Sequence, residues 1–111
     1  MTRNEQLQWV QLAKTVDIEV GEVKAFEIGG NSIALYHLEG GEFFATDNIC
    51  THALAYLSDG FLEGGTIECP LHGGCFDVRT GKGLCAPITE DLVTYHIRIT
   101  EDKIIEVALF N

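Results

Sequence analysis

Four residues with metal-binding side chains fall in two short segments of this chain. Cys50 and His52 stand two positions apart, and Cys69 and His72 stand three apart. Side chains two positions apart on an extended backbone point to the same side. The longer spacing suits a tight loop, in which Pro70 presets one backbone dihedral. The two segments therefore predict one site with two sulfur and two nitrogen ligands.

Two kinds of metal centre could use this ligand set. A structural zinc typically takes C-x₂₋₄-C followed by H-x₃₋₅-H, whereas each segment here mixes one cysteine with one histidine. In a [2Fe–2S] centre both thiolates can bind one iron and both imidazoles the other. Gly73 and Gly74 would let backbone N–H groups approach an anionic site closely. The spacing favours the cluster, and structural zinc stays open as the alternative.

The two segments resemble the motif of the Rieske family, C-x-H followed after sixteen residues by C-x-x-H. Residues 53–68 separate the pairs here, and the flanks at 45–49 and 76–82 match as well. Size and flanks are similar to the soluble Rieske ferredoxins of bacterial multicomponent aromatic-ring-hydroxylating dioxygenases, of the naphthalene and biphenyl types. The resemblance runs from about Trp9 to the last residue.

The resemblance implies one [2Fe–2S] cluster and a role for each ligand. Cys50 and Cys69 would bind one iron through sulfur. His52 and His72 would bind the other through their δ nitrogens, with the ε nitrogens facing solvent at an exposed tip. No catalytic residue is implied, because such a protein only carries electrons.

The same resemblance implies two protein partners. An NAD(P)H-dependent flavin reductase would supply single electrons, and the terminal oxygenase of an aromatic-hydrocarbon dioxygenase would receive them. Both would dock transiently at the His52/His72 tip. We expect an apolar rim there that shields the centre and forms the docking patch, made of Ala53, Leu54, Leu71 and Pro87.

Two other functions can be weighed against this one. A small Rieske subunit of a nitrite-reductase-type complex is the alternative electron-transfer function. An oxygenase catalytic subunit is excluded, because its mononuclear iron needs two more histidines and a carboxylate. Only His37 and His96 are left, both in predicted strands and without a second ligand at suitable spacing.

Four positions depart from the pattern of respiratory Rieske proteins. Ala55 and Leu71 stand where those relatives have the cysteines of a disulfide between the cluster loops. Gly74 and Phe76 stand where they have a serine and a tyrosine whose hydroxyls face the cluster sulfurs. Losing these donors predicts a potential near the low end of the Rieske range, which runs from roughly −150 to +300 mV.

Cys75 and Cys85 are not needed as ligands. In a reducing compartment they are expected to be free thiols near or under the cluster. A Cys75–Cys85 disulfide is the alternative.

Charge and composition limit the possible partners and locations. The formal net charge is −10, from 17 acidic and 7 basic residues, which disfavours nucleic acid and anionic membranes. The same charge could steer the protein toward basic patches on redox partners. The polar start contains no apolar signal segment, and no apolar run approaches the ~20 residues of a membrane span. These features predict a cytoplasmic protein.

The elements that must position the site are predicted to be β-strands. With 111 residues the chain is expected to form one domain. The fold predicted is all-β: an antiparallel sandwich as base domain, at about 9–46 and 88–111, with an inserted cluster-binding sub-domain at about 47–87. Alternation and glycine turns predict strands, with no long helix, at 9–13, 22–28, 32–38, 42–46, 61–68 as a hairpin, 75–78, 93–99 and 103–109.

Overall fold

The chain folds into three antiparallel sheets in a computed structural model that describes residues 7–52, 54–71 and 73–110. Within those ranges the only helices are two 3-10 turns, Thr15–Asp17 and Leu57–Asp59, and none is long and apolar enough to cross a membrane. The all-β prediction is confirmed. The strands are β1 Leu7–Lys14, β2 Val23–Ile28, β3 Asn31–Leu38, β4 Glu42–Asp47, β5 Phe61–Glu63, β6 Thr66–Glu68, β7 Cys75–Asp77, β8 Gly83–Cys85, β9 Thr94–Tyr95, β10 Ile97–Ile99 and β11 Ile104–Phe110.

Two of the sheets combine the two ends of the chain, and the third lies between them in sequence. The first has the order β1-β11-β10 and the second β2-β3-β4-β9. The third, β5-β6-β7-β8, is formed entirely by residues between β4 and β9. The strands predicted at 22–28, 32–38 and 42–46 pair as an antiparallel meander, and β10 and β11 form a final hairpin.

Strand β3 contributes side chains to two hydrophobic cores, one on each of its faces. Ile33 and Leu35 pack in one core with Ile105 and other side chains of the first two sheets. Tyr36, on the opposite face of β3, packs in a second core with side chains of the third sheet. Because successive side chains of a strand point to opposite faces, one apolar strand serves both cores. The third sheet is thereby fixed to the rest of the fold.

The second core also contains a buried polar pair. The Tyr36 hydroxyl lies 2.9 Å from Thr46 Oγ1 on the neighbouring strand, and the Thr46 hydroxyl donates to the Asp47 carbonyl at 2.8 Å. Burial raises the pKa of Tyr36 well above its usual range, and the Thr46 hydrogen bond partly opposes this. The phenol therefore remains protonated and serves as a structural donor.

The turn between β2 and β3 is one residue shorter than predicted. Gly29 and Gly30 form it alone, with φ angles of 57° and 83°, and Asn31 already pairs with Ile28. Two consecutive positive φ angles define the type I′ turn, whose twist suits a two-residue hairpin.

Two predictions of strand extent were wrong. The strand predicted at 93–99 is interrupted at His96: Tyr95 pairs with Ala45 in the second sheet, and Ile97 pairs with Val107 in the first. Strands in sandwiches can change sheets at such bends, and alternation alone does not reveal the bend. The segment Gly83–Cys85, for which no strand was predicted, is the edge strand β8.

Candidate metal centre

Two loops of similar construction carry the predicted ligands. The backbone N–H of Cys50 donates to the carbonyl of Ala55 at 2.9 Å, and that of Cys69 donates to Gly74 at 2.7 Å. Each cysteine therefore lies at the base of a loop that closes five residues later. The first loop is closed further by an isolated bridge between residues 49 and 56. The second connects β6 directly to β7.

The two cysteine sulfurs face each other beneath these loops. Cys50 is 4% exposed and Cys69 1% exposed. Burial raises the pKa of Cys69, a backbone hydrogen bond from Leu71 lowers it, and the contact with Cys50 raises it again. The backbone N–H of His52 in turn lies 3.4 Å from the Cys50 sulfur. Each sulfur thus accepts a hydrogen bond from the backbone N–H of the residue two positions later in the chain. Such a bond favours the thiolate that a metal requires.

The histidines are predicted at the tips of these loops. His52 is exposed, just beyond the buried base of the first loop. His72 and Ala53 lie outside the described residues. Among those that are described, no group of three or more metal-ligand side chains is assembled. The structure therefore brings Cys50 and Cys69 together, while the complete ligand set stays a prediction.

Asn48, whose role the sequence analysis missed, anchors the first loop. It is buried, and its backbone N–H donates to the Ser32 carbonyl at 2.9 Å, while its carbonyl accepts from Leu57 at 2.7 Å. Its side-chain amide donates to the Ser32 hydroxyl at 3.1 Å and accepts from the Ser58 N–H at 2.9 Å. These four bonds connect both ends of the loop to β3. The only signal in the sequence is an asparagine next to the alternating strand β4.

A third segment, residues 86–91, contacts both loops. Gly74 is buried, and a Cβ atom placed there would lie 2.5 Å from Cδ1 of Ile88. At the other loop the Thr51 hydroxyl donates to the carbonyl of Glu90 at 2.9 Å. The Ala86–Pro87 peptide bond that opens the segment is cis. The segment therefore connects the two loops and leaves no room for a side chain at position 74 unless Ile88 moves.

The floor of the site is apolar and buried. The side chains beneath the two cysteines belong to the second core and are fully or almost fully buried. Such surroundings exclude water from the sulfurs and lower the local dielectric constant. They include Leu57, Ile67, Phe76 and Val78.

Apolar side chains are exposed around the first loop. Leu54 is 98% exposed and, with Ile49, Ala55 and Tyr56, lines a shallow cavity of about 260 Å³. At the second loop Leu71 is 45% exposed. Of the predicted rim, Leu54 and Leu71 are therefore accessible and Pro87 is half-buried.

The two remaining histidines, His37 and His96, lie outside the two loops that carry the cysteines. The His37 ring hydrogen-bonds through Nδ1 to the Ile18 carbonyl at 2.8 Å and stacks on Phe43 at a centroid distance of 4.0 Å. His96 is exposed, and its carbonyl accepts from the Ala108 N–H at 2.9 Å. Both rings have structural or solvent-facing positions.

Comparison with known proteins gives one family and a consistent set of relatives. Residues 8–96 match the Rieske [2Fe-2S] domain. A ferredoxin component of naphthalene 1,2-dioxygenase/salicylate 5-hydroxylase systems from Ralstonia sp. is 51% identical over 104 residues, which are 94% of this chain and 95% of the relative.

Two solved structures are informative about function and fold. A chain of the complex between reduced oxygenase and oxidised ferredoxin in carbazole 1,9a-dioxygenase superposes with a TM-score of 0.81 at 34% identity, over 89% of this chain and 92% of that one. A nitrite reductase small subunit from Mycobacterium tuberculosis superposes with a TM-score of 0.83, over 95% of this chain and 97% of that one, but its sequence identity is 22%. The second likeness shows a shared fold alone.

Proposed function

Because this chain belongs to the Rieske [2Fe-2S] family, we propose that it carries single electrons as the ferredoxin component of an aromatic-ring dioxygenase system. The observation that carries the proposal is the pair of similar loops with two buried, facing sulfurs at their bases. The relatives named as ferredoxin components match 94% and 84% of this chain, which supports the same role for it.

We propose that Cys50 and Cys69 hold one iron and that His52 and His72 hold the other. The donor set of thiols and imidazoles fits a Rieske group. When bound, the group supplies a one-electron redox couple. The N–H donors at the sulfurs support this assignment because they stabilise anionic sulfur, and the apolar floor supports it because it keeps water away from the site.

Docking is proposed at the His52/His72 tip, beside which the first loop also carries Leu54. An electron carrier must dissociate after each transfer, so its interface should be small, below about 1,200 Å² in total. An exposed leucine beside the loop provides apolar area that a partner can cover. The partners proposed are a flavin reductase that uses NAD(P)H and a terminal oxygenase.

Acidic side chains next to both loops favour partners with basic surfaces. Glu68 is exposed and directly precedes Cys69, and exposed Glu90 accepts the Thr51 hydroxyl through its carbonyl. The net charge of −10 also favours attraction to basic partner surfaces. Added salt screens such attraction and should slow electron delivery. A rate that is indifferent to ionic strength would contradict electrostatic steering.

The division of the chain and its location are part of the proposal. Residues at about 47–87 would act as the cluster-binding sub-domain, and those at about 9–46 and 88–111 as the base domain. The third sheet, which lies between β4 and β9, supports this division. A soluble, cytoplasmic carrier fits the named role of the relatives in dioxygenase systems.

A potential near the low end of the Rieske range, roughly −150 mV, is also proposed. Gly74 carries no side chain, and the buried ring of Phe76 carries no hydroxyl. Two donors that would favour the reduced state are therefore missing. Protein-film voltammetry measures the midpoint, and a value well above zero would contradict this reasoning.

The experiment that tests the function begins with the protein purified without oxygen. Iron, labile sulfide and zinc are quantified, and the reduced protein is examined by electron paramagnetic resonance. Stopped-flow absorbance then follows its reduction by a naphthalene-type reductase and its reoxidation by the oxygenase. We expect iron and sulfide in equal amounts, a Rieske signal and transfer in both steps.

Matched variants assign the ligands. Cys69→Ser and His52→Asn should abolish or alter the Rieske signal, whereas Cys85→Ser and His96→Asn, which change the same residue types elsewhere, should preserve it. A colourless protein that contains zinc and no sulfide would overturn the whole proposal. A Rieske signal without transfer to any dioxygenase component would overturn the partner assignment alone.

A further inference from the structure

Two cysteines outside the proposed ligand set stand opposite each other on neighbouring strands. Cys75 begins β7 and Cys85 ends β8, and the register pairs them directly. Directly opposed residues of antiparallel strands have Cα atoms about 4.5–5.5 Å apart. Disulfides span Cα separations of about 4.4–6.8 Å. The backbone therefore already provides the separation that a bond between these sulfurs needs.

The two thiols are free, in mutual contact and unequal in exposure. Cys75 is half-buried, and its sulfur donates to the Gly73 carbonyl at 3.5 Å, while Cys85 is exposed. The hydrogen bond with Cys85, followed by burial, raises the pKa of Cys75 to about 11. The largest cause of that shift is the neighbouring thiol itself. Cys85 can thus react with a reagent from solvent, and the Cys75 sulfur lies next to it.

We propose that Cys75 and Cys85 form a reversible dithiol site that small disulfides such as oxidised glutathione convert to an intramolecular disulfide. The Cys85 thiolate attacks one sulfur of oxidised glutathione, whose S–S bond breaks and releases one glutathione thiolate. The Cys75 thiolate then attacks the Cys85 sulfur of the mixed disulfide and releases the second glutathione. Two protein thiols are oxidised, one small disulfide is reduced, and the two protons pass to the glutathione thiolates.

The bond would connect the second loop to the segment that covers it. Strand β7 follows that loop directly, and β8 leads into residues 86–91, where Ile88 packs on Gly74. A covalent link between the two strands restrains their separation and should slow local opening of this part of the fold. The oxidised form should therefore lose bound iron several-fold more slowly to a chelator than the reduced form.

The experiment equilibrates the metal-loaded protein without oxygen in glutathione buffers of increasing oxidised fraction. Samples are quenched with acid, alkylated and analysed by intact mass and peptide mapping. We expect one transition to a species that lacks two hydrogen atoms and contains a Cys75–Cys85 linked peptide. Dithiothreitol should reverse it, and the visible spectrum should persist throughout.

Single variants identify the order of attack. Cys75→Ser should accumulate glutathione on Cys85, and Cys85→Ser should form no internal disulfide at any ratio. The wild-type masses decide the proposal even if a variant fails to fold. Both thiols alkylated at every ratio, a stable mixed disulfide alone, or a bond formed only after the spectrum is lost would each overturn it.

Discussion

Leu54 can distinguish an effect on docking from an effect on folding, because its side chain is almost fully exposed. It is 98% exposed on the first loop, so its removal cannot create a cavity. Changes at such positions usually alter the free energy of unfolding by less than about 0.5 kcal/mol. An effect of Leu54→Ser on electron transfer would therefore report on contact with a partner.

The expected magnitude follows from the area that a partner could cover. Burying a fully exposed leucine side chain is worth about 1.5–3 kcal/mol. If the interface covers Leu54 completely, the replacement should weaken oxygenase binding roughly ten- to a hundredfold. Partial coverage would reduce the effect in proportion.

The assay measures oxygenase turnover as a function of carrier concentration. The carrier concentration at half-maximal rate should rise in Leu54→Ser, whereas the visible spectrum and the midpoint potential should not change. Val16→Ser is the matched control, because Val16 is also an aliphatic residue, 82% exposed, and lies in the 3-10 turn after β1. It should behave as wild type.

Three results would refute the reasoning. An unchanged half-maximal concentration in Leu54→Ser would show that the partner does not cover this side chain. An equal loss in Val16→Ser would show that the effect arises from general surface apolarity. A change of spectrum in Leu54→Ser would indicate that the residue supports the metal centre itself.

Three further predictions concern the scaffold. Burial raises the folded-state pKa of Tyr36, so the folded protein keeps a proton that the unfolded chain releases above about pH 10. The free energy of unfolding should then fall by up to about 1.4 kcal/mol per pH unit. Urea titrations at several pH values should show a weaker dependence of the free energy of unfolding on pH in Tyr36→Phe. Gly74→Ala should displace Ile88 and lower the free energy of unfolding by about 1–3 kcal/mol. In the double variant with Ile88→Ala, the total loss should be smaller than the sum of the two single losses. Additive losses in thermal unfolding would contradict the proposed clash. Asn48→Ala should lower the free energy of unfolding by about 2–3 kcal/mol, because the Ser58 N–H loses its acceptor in a mostly buried site. A change below about 0.5 kcal/mol in denaturant titrations would show that water replaces the amide.

The family, the strands and the candidate ligands could be predicted from local patterns in the sequence. Two C/H pairs at fixed spacing predict the candidate ligand types, because such short spacings place each cysteine near one histidine along the chain. Alternation identified β3 as a strand because period-two burial is a property of one strand and its two faces. The confirmed all-β fold and the confirmed family rest on such short-range signals.

Only the tertiary structure decided which of these segments meet. The strand change at His96, the anchoring role of Asn48 and the contact of Ile88 with Gly74 all join residues from separate parts of the chain. The opposition of Cys75 and Cys85 likewise depends on the register between β7 and β8, which shifts next to Cys75. Register and burial are set by the packing of whole sheets, and the sequence around a single residue does not contain that information.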